Sequence, residues 1–126
     1  MTVNQRVLPT LASLYGLLAV MLAALGSHLL PTESAAQNLW GTALQIHMFH
    51  AAALLAVAAL AYTRRSSLIS WTGLIMAFGV LLFSGSLYLR AAGFDYLPGP
   101  VTPFGGGLIM LAWLLLIMIL IRKNEF

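Results

Sequence analysis

Four long apolar runs, separated by short polar breaks, constrain this chain more than any other feature. The runs cover about residues 8–30, 35–63, 68–90 and 102–121, and every charged residue lies between runs or at the end of one. A helix needs about 20 consecutive apolar residues to cross the hydrocarbon core of a bilayer. The sequence therefore predicts an all-α integral membrane protein, in which residues 1–126 form one domain. The predicted fold is an up-down-up-down bundle of four transmembrane helices.

The composition supports this class and excludes several others. Hydrophobic residues make up 61% of the chain and charged residues 7%, whereas about a quarter of the residues in a soluble domain are charged. The sequence has no cysteine, which excludes disulfides, Cys-ligated zinc, iron–sulfur clusters and thiol nucleophiles. The basic residues stand singly or in pairs at the ends of the runs, as in membrane proteins, so we predict no binding to nucleic acid.

Polar residues in the breaks predict where the helices begin. Ser34, with Gln37 three residues later, fits a capping box, and Ser66 is a suitable cap for the third helix. Thr102 and Pro103 read as the N-cap and the first residue of the fourth helix.

The positions of the basic residues predict the orientation in the membrane. Cytoplasmic flanks of membrane proteins carry an excess of Lys and Arg. Of the six basic residues, only Arg90 lies next to the first or the third connection between helices. The other five lie near the termini or in the second connection: Arg6, Arg64, Arg65, Arg122 and Lys123. We therefore predict that both termini are cytoplasmic and that, in a bacterium, the protein lies in the inner membrane.

With this topology, the unusual polar residues gather toward the outer end of the bundle, while the inner half is nearly all aliphatic. Polar side chains at membrane depth are costly, so they indicate function by default. We call the following residues the polar cluster: His28, Gln45, His47, His50, Ser84, Ser86, Tyr88 and Thr102.

Small residues predict where helix backbones approach each other closely. The first run carries Ala and Gly at spacings of three and four, which is typical of helix packing and self-association in lipid. We predict the same role for five glycines near the polar cluster: Gly26, Gly85, Gly105, Gly106 and Gly107.

The histidines support two interpretations. His28, His47 and His50 could converge on a metal ion, a haem or a proton, because imidazole binds Zn, Cu and Fe and titrates near neutral pH. Alternatively, they hydrogen-bond to neighbouring helices and hold them in register. The sequence has no strong metal motif such as HExxH, so we favour the packing interpretation and predict no particular cofactor.

The sequence supports catalysis and transport less well than a packing role for the histidines. The three acidic residues, Glu33, Asp95 and Glu125, all lie outside the predicted helices, whereas acid–base or hydrolytic chemistry would normally place a carboxylate or an activated serine beside the histidines. We predict no catalytic residue. Transport through one four-helix chain without a membrane-embedded acid would require an oligomer.

Four motifs, in order along nearly the whole chain, resemble the YgdD-like family of small four-helix proteins of the bacterial inner membrane. These motifs are GSH (26–28), WGTALQIHMFH (40–50), FSGSLY (83–88) and TPFGG (102–106). The resemblance implies the same four-helix fold and no particular reaction. It also implies a characteristic site formed by His28, Gln45, His47, His50, Ser84 and Tyr88.

The leading hypothesis from sequence is an accessory or structural membrane protein that binds lipid or a partner through its outer polar end. Its predicted partners are the lipid bilayer and either further copies of itself or a larger membrane complex. The alternatives are a His-ligated metal, haem or quinone site with a redox or enzymatic role, and an oligomeric transporter of protons or small solutes.

Overall fold

The described residues form four helices, whose boundaries lie within one residue of those predicted. The computed structural model describes residues 5–94 and 96–122. Helix α1 spans Val7–Leu29, α2 Ala35–Arg64, α3 Ser67–Ala91 and α4 Val101–Ile121. The fold prediction is confirmed. Asp95, Lys123 and Glu125, which entered the sequence predictions, lie outside the described residues.

Each helix is long and apolar enough to cross a membrane. The shortest, α4, has 21 residues, which gives a length of about 31 Å at 1.5 Å per residue and matches a hydrocarbon core of about 30 Å. The most apolar stretches of the four helices have mean hydropathies between 1.7 and 2.6.

Two of the three predicted helix starts are confirmed. Ser34 Oγ accepts a hydrogen bond from Gln37 N (3.0 Å), and Ser66 Oγ accepts one from Ile69 N (3.2 Å). The prediction for α4 is wrong, because this helix begins at Val101 and has no side-chain cap. Thr102 does not cap the helix, since its hydroxyl is hydrogen-bonded to a serine of α3 instead.

Helices α2 and α3 form the centre of the bundle, with α1 packed on α2 and α4 packed on α3. Among the described residues, no Cα atom of α4 comes within 8 Å of a Cα atom of α1 or α2. Helices α1 and α4 therefore leave most of their surface to the lipid. Any direct contact between α2 and α4 must be made by long side chains.

The two ends of the bundle differ in their connections. We call one end the short-loop end, where α1 begins, residues 65–66 join α2 to α3, and α4 ends. At the opposite, long-loop end, residues 30–34 and 92–100 join the other helices. The orientation predicted from the basic residues would place the short-loop end in the cytoplasm. Apolar side chains fill the interior toward that end, among them the fully buried Leu54, Ile69 and Met76.

Candidate functional site

His47 joins three helices through both nitrogens of its ring. Its Nε2 lies 2.9 Å from the Tyr15 carbonyl oxygen of α1, and its Nδ1 lies 2.9 Å from the Tyr88 hydroxyl of α3. A carbonyl can only accept a hydrogen bond, so we assign the hydrogen to Nε2, and in the neutral ring Nδ1 accepts from Tyr88. With only 5% of its surface exposed, His47 links α1 and α3 through α2.

His50 uses its ring to reach the fourth helix. Its Nδ1 donates to the Ile46 carbonyl of its own helix (2.8 Å), and its Nε2 accepts from Trp113 Nε1 (3.0 Å). The indole N–H can only donate, which fixes the Nδ1–H tautomer of His50. This contact crosses the gap between α2 and α4, where the backbones do not approach. Trp113, which the sequence analysis does not single out, is therefore a direct partner of a cluster histidine.

Two further aromatic residues contact His47 or its partner Tyr88: Tyr15 packs against the His47 ring and Trp40 against the Tyr88 ring. Trp40 Nε1 donates to the Leu22 carbonyl of α1 (2.8 Å), and the Trp40 ring lies 4.7 Å from the Tyr88 ring. The Tyr15 hydroxyl donates to the Ala77 carbonyl of α3 (2.5 Å). Sequence reasoning missed Tyr15, although a tyrosine in the middle of an apolar run is itself a signal, because its hydroxyl needs a partner when buried.

The serines of the cluster also link helices. Ser84 Oγ donates to the Ala43 carbonyl of α2 (2.7 Å), and the hydroxyls of Ser86 and Thr102 lie 2.6 Å apart between α3 and α4. Ser84 and Ser86 are 2% and 3% exposed. The two serines, two residues apart on one helix, thus connect it to two different neighbours.

Two members of the predicted cluster lie apart from this network. His28, in the last turn of α1, and Gln45, on α2, are both exposed. Each of the other six residues makes one or more of the interhelical contacts above, whereas His28 and Gln45 lie on the surface.

The network reaches deeper than the predicted outer end. His50 lies at the midpoint of the 30-residue α2. The α1 partners of Trp40 and His47 are Leu22 and Tyr15, on either side of the middle of the 23-residue α1. The polar contacts therefore run from the long-loop end to about half the height of the bundle.

The five predicted close-approach glycines differ in their surroundings. A Cβ atom at Gly105 would lie 2.5 Å from Phe83 N of α3, and one at Gly26 would lie 2.2 Å from the Trp40 ring. At Gly106 the nearest atom, in the Phe83 ring, would be 3.5 Å away, and at Gly85 and Gly107 nothing lies within 4 Å. The backbones of α3 and α4 meet at Gly105 and at Gly79, which the sequence analysis did not select.

In this conformation His47 and His50 have no ring nitrogen free to coordinate a metal ion. Both ring nitrogens of His47 and of His50 are engaged in hydrogen bonds within the protein. Among the described residues, no group of three or more His, Cys, Asp or Glu could hold a metal ion. A metal bound by His47 and His50 would have to displace Tyr88 and Trp113. The metal site stays a prediction that metal analysis can test.

The chain is similar to a family of bacterial membrane proteins over most of its length. Residues 22–106 match the family model described as "Protein of unknown function (DUF423)". The UPF0382 membrane protein YwdK of Bacillus subtilis is 36% identical over 116 residues, which cover 89% of this chain and 94% of the relative. The UPF0382 inner membrane protein YgdD of Escherichia coli K12 is 35% identical over 116 residues, 90% of this chain and 88% of the relative. No solved structure matches.

Proposed function

The chain belongs to the UPF0382 (DUF423) family of membrane proteins, and we propose that it is an accessory protein that acts by binding another membrane-embedded protein, in the first place a second copy of itself. It is a small integral protein of the inner membrane with four apolar helices. The proposal rests on one side chain, the exposed Gln45.

Gln45 lies on the surface of the bundle at mid-depth. Gln45 lies between Trp40 and His47 along α2. Trp40 and His47 are hydrogen-bonded to α1 at Leu22 and Tyr15, one on each side of the α1 midpoint, so Gln45 is level with the middle of α1. Within the described chain, the Gln45 amide has no hydrogen-bond partner. An amide exposed to hydrocarbon without a partner costs several kcal/mol. Association with another protein would remove this cost.

The face around Gln45 suits a second copy of the same helix. Gly41, Ala52 and Ala56 lie at helical spacings from Gln45 on one exposed face of α2, which also carries the exposed side chains of Met48 and Phe49. A Cβ atom at Gly41 would meet nothing within 4 Å, so another backbone can approach there. A primary amide both donates and accepts. Under a two-fold axis, therefore, each Gln45 can donate to the other, as an isologous interface requires.

The rest of the polar cluster supports a structural role. The contacts of His47, His50, Ser84 and Ser86 join one helix to another within the chain. These residues thus hold the helices in a fixed arrangement that presents the α2 face, and Gln45 is the cluster member at mid-depth that remains available for a partner.

The proposal predicts that Gln45→Leu and Gly41→Leu weaken self-association in a bilayer. An interhelical hydrogen bond in a membrane contributes about 0.6–1.7 kcal/mol, so each of the two symmetric Gln45 bonds that Gln45→Leu removes corresponds to roughly 3- to 18-fold weaker association. We expect Gly41→Leu to have an effect at least as large, because a leucine would hold the two backbones apart. Energy transfer between labelled copies, measured over a range of protein-to-lipid ratios, gives the association constant.

Gly107→Leu is the matched control, since Gly107 is also exposed and has open space around it, but lies on α4. We expect it to associate like the wild type. A wild-type protein that stays monomeric at every ratio would contradict the proposal, as would unchanged association in both α2 variants.

The remaining hypotheses from sequence have tests of their own. A metal, haem or quinone site predicts a bound metal or a visible absorption band in protein purified in mild detergent, and its loss in the His47→Ala/His50→Ala double variant. A proton-linked transporter predicts a pH-dependent flux in liposomes that His47→Ala abolishes.

A further inference from the structure

A cavity of about 530 Å³ opens at the short-loop end, between the start of α1, the last turns of α2 and the first turn of α3. This volume lies within the range of small-ligand sites, about 300–1,000 Å³. None of the polar-cluster residues lines the cavity, and neither do Gly41, Ala52 or Ala56 of the proposed α2 face. It is therefore independent of the proposed α2 interface.

One side of the cavity is basic and rich in hydroxyl groups. Arg65, Ser66, Ser67 and Ser70 line it, and none of its described lining residues is acidic. Ser66 and Ser70 are four residues apart, and Ser67 and Ser70 three apart, so the three hydroxyls stand on neighbouring positions of one helix face.

Two of these side chains have hydrogen-bonding capacity that the protein does not use. Across residues 5–94 and 96–122, neither the Arg65 guanidinium nor the Ser70 hydroxyl has a hydrogen-bond or ion-pair partner. A serine inside a helix commonly bonds to the carbonyl four residues before it, as Thr72 does with Leu68 (2.9 Å). Ser70 instead leaves its hydroxyl for the cavity.

Arg65 also occupies a backbone position that favours glycine. It ends α2 with φ 51° and ψ 41°, in the left-handed region, and its N–H bonds to the Ala61 and Tyr62 carbonyls. Glycine is the usual residue at such a helix end, because a side chain there carries a conformational cost. The chain places a charged side chain at this position, on the rim of a cavity that it lines.

The cavity also has an apolar part, which we call its floor, near the short-loop ends of the helices. Leu8 and Ala61 contribute to it, and α2 ends three residues beyond Ala61. The site thus combines a cation and hydroxyl donors with an apolar surface in the same cavity. Phosphate groups are bound by this combination of donors, and a phosphate attached to a hydrocarbon chain would also cover the floor.

We propose that this cavity binds a phosphate group, with Arg65 as the counter-charge and Ser70 as a hydroxyl donor. The phosphate can come from the headgroup of an anionic phospholipid in the surrounding leaflet or from inorganic phosphate in the adjoining solution. A phospholipid would also cover the apolar floor with its hydrocarbon chain, whereas inorganic phosphate would not.

The test compares wild type with Arg65→Gly, Ser70→Ala and the control Arg122→Gly. Arg65→Gly removes the charge but suits the left-handed backbone, so the variant is expected to fold at least as well as the wild type. Arg122→Gly removes an equal charge near the same end, from a residue that does not line the cavity. Native mass spectrometry would count phosphatidylglycerol retained by protein taken from nanodiscs of phosphatidylglycerol and phosphatidylcholine. Calorimetry with inorganic phosphate forms the second arm.

We expect one phosphatidylglycerol per wild-type chain, at least about tenfold weaker binding in Arg65→Gly, a smaller loss in Ser70→Ala, and wild-type binding in Arg122→Gly. Binding in the lipid arm alone identifies a headgroup site, and binding of inorganic phosphate with the same dependence on Arg65 identifies a site for free phosphate. The proposal is overturned if the wild type binds neither, or if Arg65→Gly binds as tightly as Arg122→Gly.

Discussion

The His47→Ala variant is expected to lose about 3–5 kcal/mol of the free energy of unfolding. Truncating a buried side chain to alanine costs about 2–5 kcal/mol. Each interhelical hydrogen bond that is lost in a membrane adds about 0.6–1.7 kcal/mol, although such terms are not strictly additive. His47 is 5% exposed and makes two such bonds, to Tyr15 and Tyr88. The loss would loosen α1 and α3 together, because α2 connects them through this ring.

Reversible unfolding in mixed micelles, followed by circular dichroism, measures this effect. His28→Ala is the matched control, since the same side chain is exposed at the end of α1, and we expect it to change the stability by less than about 0.5 kcal/mol. If the two variants were equally stable, His47 would not be holding the helices together, and the structural role proposed for the polar cluster would have to be abandoned.

The second large effect is expected for Gly105→Ala, where α3 and α4 cross. The added Cβ would lie 2.5 Å from Phe83 N and 2.8 Å from the Gly79 carbonyl oxygen. Both are backbone atoms, so no side-chain rotation can relieve the clash and the helices must separate. Overpacking of this kind costs about 1–3 kcal/mol or more, and separation would also stretch the Ser86–Thr102 contact near the crossing.

Gly107→Ala provides the contrast within the same helix, two residues away. Its Cβ would meet nothing within 4 Å, and alanine is favoured over glycine in a helix by about 0.8–1 kcal/mol. We therefore expect the Gly107→Ala protein to be as stable as the wild type or more so, and the Gly105→Ala protein to unfold earlier in the same denaturant series. Equal midpoints for the two variants would show that the α3–α4 crossing tolerates a methyl group.

The sequence predicts most of the residues of the polar network but not which residues they contact. Helical spacing placed His47 and His50 on one face, yet the structure directs them to different neighbours, His47 to α1 and α3 and His50 to α4. The sequence does not predict the roles of Tyr15 and Trp113, because an aromatic residue in an apolar run has no spacing that reveals its partner. Gln45 was grouped with the histidines, since the sequence alone could not show that its side chain faces outward.

The sequence by itself determined the elements of this protein. Four apolar runs of membrane-spanning length, with charges confined to their ends, leave a chain few alternatives to four helices, because backbone groups in lipid must be satisfied within each segment. Ser34 and Ser66 fixed two of the starts through local hydrogen bonds.

Only the tertiary structure decided which faces of those helices meet. Outside the polar cluster, all four helices carry apolar residues around their whole circumference, so periodicity does not distinguish a lipid-facing side from a buried one. The pairing depends instead on contacts between residues far apart in sequence: Trp113 reaching His50, Gly105 against Gly79, and α1 meeting α2 but not α4. The exposure of Gln45 and the cavity beside Arg65 follow from that packing, and both proposals depend on it.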